Sequence, residues 1–126
     1  MRQLEKGLYL LEGEEMPCGP GTIDVRRKAL LSTFGKAERE WAAVLIIGCS
    51  QEVGTWVAVD WPTLGRKAME KEYSIGKLFV GIRGLIKMGF VRRVRPGNNI
   101  RNHPAFSPVP KFVLHLMRVQ GITPKN

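Results

Sequence analysis

The clearest hydrophobic pattern lies in the middle of the chain. In KAEREWAAVLIIGCSQ (36–51), Trp41, Val44, Leu45 and Gly48 recur at helical spacing while Ala42, Ile46 and Ile47 fill the other sides. A segment apolar nearly all round predicts a helix at the centre of a domain. Glu38 and Glu40 in its first turn suit the helix dipole. Further on, SIGKLFVGIRGLIKM (74–88) has a one-sided pattern. At 100° per residue, Ile75, Leu78, Phe79, Ile82, Leu85 and Ile86 share one apolar sector, which predicts an amphipathic helix capped by Ser74 and closed by Gly89. Its other face presents Gly76, Lys77, Val80, Gly84 and Lys87, with Arg83 and Gly81 at the flanks.

The remaining elements follow from local signals. Leu8-Tyr9-Leu10-Leu11 is read as a short strand and MPCGPG (16–21) as a loop. Asp24 is expected to cap a short helix, VRRKALLSTF (25–34), ended by Gly35. TWVAVDW (55–61), rich in β-branched and aromatic residues, predicts a strand. Asp60 then caps a helix over 62–73, with Pro62 in its first turn. FVRRV (90–94) predicts a strand and RPGNN (95–99) a turn. Three prolines mark 100–110 as irregular. For KFVLHLMRV (111–119) a strand is favoured, because FVRRV needs a partner across the turn; a helix from Pro110 to Gly121 is the rival. The fold class expected is α+β, mainly helical, with residues 1–35 as an N-terminal extension, 36–119 as the domain and 120–126 as a tail.

Charge sharpens the picture. The 126 residues carry a net charge of +9 and are 44% hydrophobic, enough for a real core. Residues 1–65 hold seven Lys/Arg against nine Asp/Glu, whereas 66–126 hold thirteen against two, Glu70 and Glu72. No acid follows Glu72. A solvated surface normally mixes both signs, so this one-signed half points to a polyanionic partner. The longest apolar run, Trp41 to Gly48, is eight residues, too short to span a bilayer. No secretory signal is visible, and the location expected is the cytoplasm or nucleoid. Cys18 and Cys49 have no metal-ligand spacing.

From Lys36 onward the predicted order is helix, strand, helix, tight turn, helix, strand, turn, strand. With Leu85-Ile86, Gly89, Phe90-Val91, Arg92-Arg93 and the tip Pro96-Gly97-Asn98-Asn99, this stretch resembles the winged helix-turn-helix superfamily. The resemblance covers about 36–119 and leaves 1–35 outside it. It implies a recognition helix over 74–88, a wing at 95–99 and double-stranded DNA as partner. A helix face in a major groove wants cations for phosphates, an Arg for a guanine edge and an apolar group for a thymine methyl. Lys77, Lys87, Arg83 and Val80 supply these types, and Ser74 and Gly84 border them. The helical glycines, each costing about 0.5–1 kcal/mol against Ala, suggest close backbone approach to DNA or else to another helix. Wing residues Arg92, Arg93, Arg95, Asn98, Asn99 and Arg101 are candidates for phosphate or minor-groove contact, and Arg66 and Lys67 for phosphate contact from the preceding helix.

Catalysis needs a positioned acid, base, nucleophile or metal. The chain has only two Asp, both read as helix caps, and two His, so neither an enzyme nor a cofactor is expected. The function expected is sequence-specific or semi-specific duplex binding, as a transcriptional regulator or a plasmid or phage replication or partition factor. The alternative is a protein- or RNA-contacting subunit of a larger nucleoprotein assembly, with a homodimer as a further option. Single-strand stacking would want exposed aromatics among the cations, and none is evident in the sequence.

Overall fold

Five strands are joined edge to edge into one antiparallel sheet, with helices packed against it. The computed structural model describes residues 2–11, 17, 19–53, 57–95 and 103–124. Among these residues the order is β1 (Arg2–Glu5), β2 (Leu8–Leu10), α1 (Lys28–Phe34), α2 (Ala37–Val53), β3 (Val57–Asp60), α3 (Trp61–Glu70), α4 (Ile75–Lys87), β4 (Val91–Val94), β5 (Ala105–Pro108) and α5 (Pro110–Val119). The sheet order is β1-β2-β3-β5-β4. The protein is therefore α+β.

The caps read from the sequence account for the sharpest boundaries. Asp60 Oδ1 accepts from Thr63 N at 3.0 Å and opens α3; Ser74 Oγ accepts from Lys77 N at 3.4 Å and opens α4. Gly35 ends α1 with a left-handed φ of 73°, and Gly89 follows α4 with φ 77°. Asp24, by contrast, does not cap α1: its carboxylate accepts from Arg26 N in a turn, the N-cap position is Arg27 with no side-chain cap, and the helix begins only at Lys28.

α2 is the central helix that its pattern predicted. Ala42, Ala43, Leu45, Ile46, Ile47, Cys49 and Ser50 are all buried, and α2 packs along α4 and against β3 and β5. Burying an aliphatic side chain of this kind contributes roughly 1.5–3 kcal/mol relative to leaving it in water.

Two readings of the C-terminal half are corrected. The partner of β4 is β5, inside the proline-rich stretch expected to be irregular, with Val91 opposite Pro108 and Val94 opposite Ala105. Residues 111–119 are not a strand but belong to α5, which begins at Pro110 and stops before Gly121. Pro at a helix start and Gly just past its end outweighed the partner argument, because four residues of β5 already satisfied β4.

The N-terminal segment is not outside the fold either. β2 pairs with β3, and Leu8, Leu11, Ile23, Val25, Leu30 and Phe34 belong to the same core as α2. Gln51 of α2 clamps Ile23 from both sides, accepting from its N at 2.6 Å and donating to its O at 3.1 Å.

Because every pairing is antiparallel, one end of the sheet collects the β1–β2 turn, the end of β3 with the start of α3, the start of β5 and the end of β4. The β4–β5 connection leaves and returns at that end. The expected tip residues Pro96 to Asn99, together with Arg101, lie outside the described residues, as does Cys18. Among the described residues no helix is long and apolar enough to cross a membrane.

Candidate nucleic-acid interface

α4 is rolled toward α2 by comparison with its apolar pattern. Its buried residues are Leu78, Gly81, Ile82 and Leu85, a face turned by roughly 50° from the predicted sector at 100° per residue. The glycines are the cause. A Cβ on Gly81 would fall on the Glu38 carbonyl of α2 and lie 3.2 Å from Ala42 Cβ. A Cβ on Gly84 would lie 2.6 Å from Nε of Arg39, whose Nη1 donates to Phe34 O at 3.0 Å. Both glycines let two helices of the same chain approach closely, which is the helix-contact alternative rather than an approach to DNA. Gly76 alone among the three has room for a Cβ, which would make only an ordinary contact with Ser74 Oγ at 3.7 Å.

The roll releases apolar side chains to the surface, leaving Ile75 40%, Phe79 50% and Ile86 37% exposed; Val80, expected on the outward face, is 57% exposed. An exposed aromatic among cations, not evident in the sequence, is therefore present. Trp61 meets Phe79 edge-on at 6.0 Å, and the Arg83 guanidinium carbon lies 5.7 Å from the Phe79 ring centroid. At that separation the ring face attracts the cation and limits how far Arg83 swings.

Lys77, Arg83 and Lys87 are exposed on α4, and Arg93 and Arg95 are exposed on and after β4. Arg83 and Arg93 line one groove of about 330 Å³ with Trp61, Phe79, Ile86 and Pro104. On the other side of α4, Arg83 and Lys87 border a second groove of about 450 Å³, which Lys36, Arg39 and one carboxylate, Glu38, also line. Arg92 is half-buried. Ser74 Oγ is engaged as the α4 cap, and Gly84 is half-buried under Arg39. Arg66 is exposed on α3 and Lys67 half-buried. Asn98, Asn99 and Arg101 lie outside the described residues.

Arg26, in the turn before α1, lies over the Trp41 ring at 4.1 Å, while Arg27 and Lys28 next to it are exposed; Trp41 in turn packs on Tyr73 at 5.1 Å between centroids. Burial, and then the carboxylates Glu38 and Glu40, push the Tyr73 phenol above its ordinary pKa, so it stays neutral. Among the described residues no group of three His, Cys, Asp or Glu is placed to hold a metal. The chain matches no protein-family model, no curated protein and no solved structure.

Proposed function

We propose that the segment from α2 to β5 is a winged helix-turn-helix and that it binds double-stranded DNA through α4 and β4. The observation that carries this reading is the meeting of Arg83 and Arg93 on one groove, flanked by exposed Lys77 and Lys87. No acid follows Glu72 in the sequence, and among the described residues Glu38 is the one carboxylate that lines either groove beside α4. The element order α2, β3, α3, α4, β4, β5 is the order that carried the resemblance, with β5 taking the place assigned to 111–119. In this reading Lys77 and Lys87 neutralise phosphates, Arg83 reaches a guanine edge and Val80 a thymine methyl, while Arg93 and Arg95 hold the flanking backbone and the half-buried Arg92 faces the other side of β4. The biological role proposed is transcriptional regulation, or replication or partition of a plasmid or phage.

A second reading is favoured by the four exposed apolar side chains of α4. Contiguous exposed apolar surface marks an interaction site, and a protein- or RNA-contacting assembly subunit would use it. Selection from a random duplex pool, with and without competitor RNA, separates the two. The DNA reading expects an enriched site on which Arg83→Ala costs about 1–3 kcal/mol and relaxes preference at one position. Equal losses on selected and random duplexes would reduce Arg83 to a phosphate contact. A pool without enrichment, emptied by RNA, would favour the assembly subunit.

A further inference from the structure

We infer that the β1–β2 hairpin is part of the binding surface, its turn residue Lys6 joining Arg66 and His103 in a groove that takes backbone phosphates of the bound duplex. The inference rests on the proposed DNA reading and extends it to a segment outside the resemblance. Sheet geometry supplies the first argument: the β1–β2 turn lies at the same end of the sheet as the β4–β5 connection, with the start of α3 and of β5 between them. A duplex lying along that end of the sheet passes both the end of β4 and the hairpin turn.

The turn is held there by its backbone. Gly7 O accepts from Asp60 N at 2.9 Å. Gly7 has φ +84°, and the position of a Cβ on it is already occupied by the Thr63 side chain. Lys6 is therefore placed by a seated turn rather than by a loose loop, and it is exposed.

The groove has a volume of about 390 Å³, and Gln3, Lys6, Arg66 and His103 bring donors to it, while the Tyr9 hydroxyl donates to Asp60. Arg66 Nη2 donates to Thr63 Oγ1 at 3.2 Å, which orients the guanidinium while using one of its five N–H donors. The carboxylate lining the groove, Asp60, is 8% exposed and already accepts from Thr63 N and, at 2.7 Å, from Thr63 Oγ1. Burial first, and then Asp60, hold the Tyr9 phenol above its ordinary pKa, so it brings a neutral hydroxyl and no negative charge. Exposed cations on a fixed turn and a helix, beside a carboxylate whose Oδ1 is already engaged by Thr63, suit a phosphodiester, which is bound by charge-assisted hydrogen bonds and releases counterions.

The test measures duplex affinity against salt for the full chain and for Lys6→Ala, Arg66→Ala, the double variant and Lys77→Ala. Both groove residues are exposed, and a thermal melt of each variant confirms folding. Each groove substitution should weaken selected and random duplexes alike and flatten the log–log salt slope by about one unit, the pair by about two. If Lys77→Ala flattens the slope while Lys6→Ala and Arg66→Ala leave it unchanged, the hairpin inference is overturned and the DNA reading stands. A wild-type slope near zero overturns both. Inorganic phosphate separates a free anion from the backbone: weak phosphate binding lost in the double variant, with duplex binding intact, would show a small-anion site and contradict the inference.

Discussion

A methyl group at Gly81 meets the Glu38 backbone, and one at Gly84 meets only the Arg39 side chain, so the two glycines of one helix should respond differently to alanine. Backbone cannot yield locally, and overpacking of this kind costs about 1–3 kcal/mol, which outweighs the gain in helix propensity. Gly81→Ala should therefore lower the urea midpoint clearly. Gly84→Ala should be near neutral, because Arg39 can swing away at the loss of its bond to Phe34 O. Gly76→Ala, whose methyl would make only an ordinary contact with Ser74 Oγ, should raise stability by up to about 1 kcal/mol. If it also weakens duplex binding, the backbone of α4's first turn lies close to the partner. Equal midpoints for Gly81→Ala and Gly76→Ala would contradict the α2–α4 packing described above. Phe79 and Ile82 make a second contrast on the same helix. Ile82→Ala empties a buried position and should cost about 2–5 kcal/mol, whereas Phe79→Ala should leave the midpoint nearly unchanged while weakening partner binding. A large stability loss at Phe79 would mean that its ring is core after all.

At the scale of elements, what the sequence disclosed depended on whether one residue type carried the signal. Helix starts were legible because Asp60 and Ser74 are caps with a donor three residues ahead. The roll of α4 was not, because a hydrophobic pattern points away from glycine, whereas Gly81 and Gly84 form the close-packed strip. β5 was hidden by its prolines. Pro104 precedes it, Pro110 opens the next helix, and Pro108 lies beyond the pairing with β3, where only β4 flanks it. The candidate cations were legible as a class from the missing acids, but the meeting of Arg83 with Arg93, and of Lys6 with Arg66, needed the sheet order. α5 gives this level its own test. Phe112 stacks on Phe90 at 4.2 Å and meets Phe34 edge-on at 5.9 Å, fastening α5 to α1 and to the residue before β4. Phe112→Ala should cost about 3–5 kcal/mol in equilibrium unfolding. A loss below about 1 kcal/mol would show that α5 is not docked as described.

At the scale of the whole molecule, the central proposal is electrostatic: the cations of α4 and β4, with Glu38 the one carboxylate among the described residues lining the two grooves beside α4, hold a polyanion. Its most direct test is the affinity of the full chain for a duplex, followed by fluorescence anisotropy from about 50 to 200 mM salt. With roughly five to eight phosphates neutralised, affinity should fall by several hundred-fold or more across that range, because each contact returns a condensed counterion to solution. An affinity that stays level over the same range would contradict the account and leave the exposed Phe79, Val80 and Ile86 face as the seat of a protein contact.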